Sequence, residues 1–191
     1  MHQLQNALKL SHHFIRQVVR EGDTVLDATV GNGNDTLFLA RLVGPKGRVI
    51  GFDIQSIAIE RTKEKLKQEG MLERTILIHD DHANILQHVQ EPVRAAMFNL
   101  GYLPRSDHSI TTTHSTTLKA VEACCSLLVP CGTITICIYY GHKEGEDERI
   151  RLLEYVKKLD YTGFTVLYSE FINQINQPPL LVVIQKNNFF V

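Results

Sequence analysis

The chain predicts an α/β fold in which a mostly parallel, seven-stranded sheet carries helices on both faces and ends in an antiparallel hairpin. Two observations lead there. Short apolar segments alternate with helical-period segments over residues 24–159, and the last two strands, 164–171 and 180–185, are separated only by the loop 173–179. Strands joined across helices run parallel, whereas strands joined by a loop too short for a helix pair antiparallel.

The elements follow in order. Leu4, Leu8, Ile15, Val18 and Val19 recur at helical spacing, so residues 1–22 open the chain as an amphipathic helix ending near Glu21-Gly22. Strands are predicted over 24–28, 48–53, 75–79, 95–100 and 132–140, and helices over 35–42, 56–68, 83–89, 115–128 and 146–159. The turn Gly44-Pro45-Lys46-Gly47 separates the first of these helices from the second strand. No internal repeat or linker divides the sequence, so residues 1–191 are expected to form one domain.

Composition bounds the function. With 43% hydrophobic and 21% charged residues, the 191-residue chain lies in the ordinary globular range. No apolar run approaches the roughly 20 residues that span a bilayer, and Met1 to Asn6 lack the build of a secretion signal. A cytoplasmic protein without membrane contact is expected. Cys124, Cys125, Cys131 and Cys137 do not form repeated CxxC pairs, and Cys124, Cys125 and Cys137 lie in apolar runs that suit buried thiols. Neither His12-His13 nor the His79-Asp80-Asp81-His82 cluster has metal-ligand spacing, so no metal is expected. A net charge of −1 gives no global sign of nucleic-acid binding, leaving a local basic rim: Lys9, Arg16 and Arg20, or Arg105 with Lys119. Arg61, Lys63, Lys65 and Lys67 interleave with Glu60, Glu64 and Glu69 and read as a solvated helix face.

In such a sheet, ligands bind beyond the carboxyl ends of the strands, beside the point where strand order reverses. After the first strand comes Asp27-Ala28-Thr29-Val30-Gly31-Asn32-Gly33, with glycines for a tight turn, and Asn34-Asp35-Thr36 then opens a helix with a good capping residue. Asp53 ends the second strand about 20 residues beyond the glycines, where a carboxylate accepts from ribose hydroxyls of an adenosine. Ile54 and Gln55 follow, Gln55 placed to pack along the adenosine. A nicotinamide site would want GxGxxG, but Thr36 stands where the third glycine belongs. Asp27 would crowd an anionic pyrophosphate and suits a cationic ligand. After the third strand, Asp80, Asp81 and His82 form a polar turn; either aspartate is placed to meet the adenine amino group, and Asp81 equally suits a helix N-cap.

The DxxxGxG pattern resembles the first motif of class I S-adenosylmethionine-dependent methyltransferases, a Rossmann-like fold. The resemblance implies that S-adenosylmethionine is the cofactor and that Asp27, Thr29, Gly31, Asn32, Gly33, Asn34, Asp35, Thr36, Asp53, Ile54, Gln55, Asp80, Asp81, His82 and Asn99 surround it, Asp27 at the methionine end.

The fourth strand runs into Asn99-Leu100-Gly101-Tyr102-Leu103-Pro104, where amino-methylating enzymes carry an Asn-Pro-Pro-Tyr type of motif. An Asn side-chain oxygen and a following carbonyl there accept the hydrogens of an amine, aim its lone pair and stabilise the growing positive charge. Asn99, Gly101 and Tyr102 are therefore the candidate catalytic residues, with the Tyr102 ring offered for stacking on a base. Leu100-Gly101 departs from Pro-Pro, which puts specificity for a base amine in doubt. Whether His108, Asp107, His142 or water takes the amine proton stays open. The hydroxyls of Ser109, Thr111, Thr112 and Thr113 suit a phosphate, a methionine carboxylate or helix capping.

DATVGNGNDT, GFDIQ, FNLGYLP, the Asp107 to Thr112 stretch and IYYGH together are similar to the YtqB-like family of small methyltransferases, formerly called ribosomal RNA methylases, over nearly the entire chain. That resemblance implies methylation of the aminomethyl group of 5-aminomethyl-2-thiouridine at the wobble position of tRNA. An anticodon loop would be the partner, the enzyme a homodimer, and Leu100, Tyr102, Arg105, His108, Tyr139, Tyr140 and His142 the substrate side. Methylation of ribosomal RNA or of a small-molecule amine is the alternative; a nicotinamide-dependent oxidoreductase is more remote.

Overall fold

The computed structural model describes residues 5–101, 114–141 and 143–188. Its strands are β1 (Thr24–Asp27), β2 (Arg48–Asp53), β3 (Thr75–His79), β4 (Val93–Leu100), β5 (Leu128–Ile138), β6 (Phe164–Ser169) and β7 (Leu180–Lys186). They form one sheet in the order β3-β2-β1-β4-β5-β7-β6. β1 to β5 pair in parallel, and β7 runs antiparallel to both β5 and β6. The closing hairpin is therefore present, with its second strand inside the sheet and its first at the edge.

Around the sheet lie α1 (Ala7–Val18), α2 (Asn34–Val43), α3 (Ser56–Gln68), the single turn α4 (Ile85–His88), α5 (His114–Leu127) and α6 (Lys143–Val156). Alternate strand residues serve opposite faces. Leu26, Phe52, Phe98, Ile136 and Val182 pack with Val121 and Cys124 of α5 and Leu152 of α6. Val25, Val49 and Met97 pack with Ile15 of α1, Leu39 of α2 and Leu66 of α3, while Ala7 meets Cys137, Leu181 and Val183. The central strands are covered on both faces, so they read as apolar runs rather than alternating ones, while the edge strands β3 and β6 keep exposed positions.

Several boundaries differ from expectation. α1 begins at the N-cap Asn6, whose side chain accepts the Lys9 N–H at 2.9 Å, and it stops at Val18 instead of 22. Asp23 draws in the Arg20 N–H at 2.7 Å, and the Gly22 N–H bonds Val43 O at 2.9 Å, diverting the chain into β1. The predicted helix 83–89 is a 3₁₀ turn, His82–Asn84, followed by α4. β5 starts at Leu128, ahead of the predicted Gly132. Leu128 pairs with Val93, and a register shift before Ala95 absorbs Pro130 and Cys131, the latter at φ +61°. A proline in a strand reads as a stop unless a bulge accommodates it. β6 ends at Ser169 rather than 171.

Strand order reverses between β1 and β4. Helices leaving these neighbours depart to opposite sides, so a crevice opens at their carboxyl ends.

Candidate functional site

The loop leaving β1 is braced from within. Asp27 is fully buried; its Oδ1 accepts the Thr29 N–H at 3.1 Å and its Oδ2 the Thr36 hydroxyl at 2.6 Å. Burial, then the charge of Asp35, raises its pKa to about 7 against the pull of those two hydrogen bonds. Gly31 and Gly33 take φ of +50° and +71°, and a Cβ on Gly33 would stand 2.6 Å from Thr62 Oγ1, so this turn admits glycine alone without strain. Gly33 occupies the N-cap of α2 with no side-chain cap bond, contrary to the expected capping by the polar run that follows. Those side chains are drawn elsewhere: Asn34 accepts from Lys65 Nζ at 2.6 Å, and Thr36 serves Asp27.

Asp53 closes the loop from the next strand. Its Oδ2 accepts the Gly31 N–H at 2.8 Å and its Oδ1 the Gln55 N–H at 2.9 Å. A carboxylate offers about four lone-pair positions, so both oxygens retain capacity for ribose hydroxyls. Ile54 contributes its carbonyl to a 3.0 Å contact with His79 Nε2. Two residues of α3 also belong here, Thr62 and Lys65, the second of which the sequence reads as part of a solvated helix face. Lys65 Nζ donates to Asn32 O at 2.7 Å, and the Thr62 hydroxyl to Gly31 O at 3.2 Å. Lys65 is thereby a strut of the loop rather than part of a solvated face.

At the end of β4, Asn99 is joined twice to the segment that leads from β1 into α2. Its N–H donates to Thr29 Oγ1 at 2.8 Å, and its Nδ2 to Asp35 Oδ2 at 3.3 Å. Its Oδ1 is buried and has no hydrogen-bond partner among the described residues. Asp35 Oδ1 lies 2.7 Å from His12 Nε2, a contact from α1 that no sequence pattern announced. The Leu100 side chain is buried in the core, and its carbonyl accepts the Tyr139 N–H at 3.2 Å. A Cβ on Gly101 would meet the Tyr139 ring at 3.2 Å.

The two strand-end tyrosines separate. Tyr139 is half-exposed, and its hydroxyl pKa is raised by burial and by the neighbouring Cys137 and Asp35. Tyr140 packs against the main core, with Arg149 5.2 Å from its ring centre. Tyr102, Arg105, His108 and His142 lie outside the described residues, as do Asp107, Ser109, Thr111, Thr112 and Thr113. Of the basic rim, Lys9 and Lys119 are exposed, Arg16 stands over Phe38 at 4.9 Å, and Arg20 bonds the carbonyls of Arg16 and Val19.

In the turn after β3, Asp81 acts as an N-cap, accepting the Ala83 N–H at 2.8 Å. Asp80 binds His88 and Asn84, which lower its pKa. His82 Nδ1 lies 3.0 Å from Ala28 O, and its Nε2 is buried without a hydrogen-bond partner among the described residues, Asp81 Oδ1 standing 4.0 Å away. Burial depresses its pKa. The crevice thus carries three carboxylates, Asp27, Asp35 and Asp53, and two buried polar atoms with unused capacity. That set fits an adenosine-bearing cation and disfavours a pyrophosphate. Among the described residues no group of three or more His, Cys, Asp or Glu is placed to hold a metal.

Residues 49–185 match the family model described as "Putative rRNA methylase", and residues 7–88 that of "Protein-L-isoaspartate(D-aspartate) O-methyltransferase (PCMT)". An Arabidopsis thaliana protein described as "tRNA (mnm(5)s(2)U34)-methyltransferase, chloroplastic" is 35% identical over 194 residues, covering 96% of this chain and 71% of the relative. A crystal structure of a "putative rRNA-methylase" from Clostridium thermocellum matches with a TM-score of 0.94 and 51% identity, over 96% of this chain and 98% of that one. A "putative methyltransferase" from Streptococcus mutans, in complex with SAH, matches with a TM-score of 0.88 and 43% identity, over 96% and 99%.

Proposed function

Because the chain belongs to the "Putative rRNA methylase" family, and so is an S-adenosylmethionine-dependent methyltransferase, we propose that it methylates the exocyclic amine of 5-aminomethyl-2-thiouridine at the tRNA wobble position, giving the 5-methylaminomethyl form. The observation that carries this reading is Asn99. An amide oxygen that is buried, unpartnered among the described residues and fixed beside the cofactor-side loop suits an amine N–H. The Arabidopsis relative's name, with its methylaminomethyl product at U34 of tRNA, supports the same acceptor chemistry.

The cofactor supplies an electrophilic methyl group when bound. Asp53 and Gln55 are assigned to the adenosine, His82 with Asp80 and Asp81 to the adenine side, and Thr29 and the loop 31–36 to the methionine end. Asp27 contributes its field, since it is fully buried beneath the loop. Asn99 Oδ1 accepts one hydrogen of the neutral amine and aims its lone pair along the line of displacement, which positioning alone accelerates strongly. As the C–N bond forms and the methyl–sulfur bond breaks, its electron pair leaving on the thioether sulfur, Oδ1 would stabilise the positive charge on nitrogen, and the ammonium would then release its proton to solvent. Tyr139 is the described aromatic placed to flank the acceptor; Tyr102, Arg105, His108 and His142 are assigned to the same side. We further propose that the whole sequence acts as one methyltransferase domain, as a homodimer binding the anticodon loop in the cytoplasm. The unpaired state of all four cysteines supports a reducing compartment.

Incubating purified protein and S-adenosylmethionine with tRNA carrying 5-aminomethyl-2-thiouridine should yield the methylaminomethyl nucleoside by mass spectrometry. An unchanged wobble uridine would sink the proposal. The family description favours a second reading, a methyl group placed on ribosomal RNA, and a parallel digest of ribosomal RNA separates the two. Asn99→Ala should keep cofactor affinity and lower kcat about 100-fold, as loss of one aimed hydrogen-bonding group does.

A further inference from the structure

From the contacts of α1 we infer that His12 is a positioning residue for methyl transfer, holding Asp35 so that Asp35 in turn seats the Asn99 amide with its oxygen towards the acceptor. The inference rests on the amine-holding reading of Asn99. A side-chain amide has two seatings related by rotation, and only its partners decide between them. An ionised carboxylate accepts and cannot donate, so Asp35 Oδ2, 3.3 Å away, selects Nδ2 and turns Oδ1 free. That bond is long, so the rotation of Asp35 itself matters. Its other oxygen is fixed by His12 Nε2 at 2.7 Å, the two side chains being only 14% and 7% exposed. His12 is seated in turn by stacking on Phe38, with ring centres 3.9 Å apart and planes 5° from parallel. The chain of contacts thus runs from α1 through the first turn of α2 to the end of β4. Without His12, Asp35 is free to rotate, and Asn99 loses the partner that distinguishes its oxygen from its nitrogen.

Two variants separate hydrogen bonding from packing. His12→Phe keeps a ring on Phe38 and removes the N–H; His12→Gln keeps a donor. His12→Phe should lower kcat for tRNA methylation about tenfold, the scale of a lost supporting hydrogen bond, with the S-adenosylhomocysteine Kd changed less than about threefold. His12→Gln should return kcat to within about threefold of the parent. A second readout needs no RNA: the Asn99 side-chain amide pair in the ¹H–¹⁵N spectrum, identified by its absence in Asn99→Ala, should lose its carboxylate-bonded downfield proton in His12→Phe and keep it in His12→Gln. If the wild type leaves tRNA unmethylated, the function proposal fails while this spectrum still decides the role of His12. A folded His12→Phe with parental kcat, or with an unmoved Asn99 signal, overturns the inference. Should His12→Phe not fold, His12→Gln decides alone: parental kcat and signal support the inference, and a tenfold loss overturns it.

Discussion

Asp27 holds its proton up to about neutral pH because burial and the adjacent charge of Asp35 oppose its ionisation. A cation bound in the crevice reverses that balance, so cofactor affinity and Asp27 ionisation are linked. Asp27→Asn is close to isosteric and can keep both loop hydrogen bonds. It should weaken S-adenosylhomocysteine binding about tenfold by calorimetry, equal to about 1.4 kcal/mol. The same substitution should leave the unliganded protein more stable than the parent at pH 8, where the parent must bury a charge.

Among the elements, the turn between β1 and α2 is the one that tolerates least. Gly33→Ala sets a Cβ into a left-handed conformation and 2.6 Å from Thr62, which together should cost about 2–4 kcal/mol in urea denaturation. Adding Thr62→Ala should recover only the steric share, and full recovery would show that the backbone conformation costs nothing. In the terminal hairpin the order of strands makes a second prediction. Ile184 on β7 is fully buried between β5 and β6, whereas Leu167 on β6 is 45% exposed. Ile184→Ala should destabilise by about 2–4 kcal/mol and Leu167→Ala by less than about 1. Equal costs would contradict β7 as the inner strand.

At the scale of the whole molecule, the raised pKa of Asp27 gives stability a slope. The folded carboxyl retains its proton up to about 7, while in the unfolded chain it loses it near its ordinary value of 3.8. The folded state therefore binds more protons between those limits, and stability falls as pH rises through that window. His82 acts oppositely: its depressed folded pKa means the unfolded chain gains the proton first, so its contribution is lost as pH drops below 6.5. The difference in unfolding free energy between pH 5 and pH 8 should shift in Asp27→Asn towards greater stability at pH 8, by a few kcal/mol as an upper bound, because only the opposing His82 contribution remains. An unchanged difference would mean that Asp27 is ionised in the folded state at both pH values.

The sequence by itself determined the alternation of elements, the antiparallel ending and the strand-end positions of Asp27, Asp53 and Asn99, because these follow from local periodicity and from the rule that such sheets bind at their carboxyl ends. Its misplaced boundaries were those where long-range pairing outweighed a local signal, as where the bulge around Pro130 lets β5 begin at Leu128. Only the tertiary structure decided which side chains meet. His12 reaches Asp35, Lys65 reaches the glycine loop and Thr29 reaches Asn99, 70 positions away, through contacts that carry no spacing pattern. It also parted Tyr139 from Tyr140, which follow the end of β5, the first lying against Gly101 and the second packing on the main core. The methyl donor's loop was legible because its glycines answer to backbone geometry. The hold on Asn99 was not, because it is made by side chains from three elements that meet only when the sheet is complete.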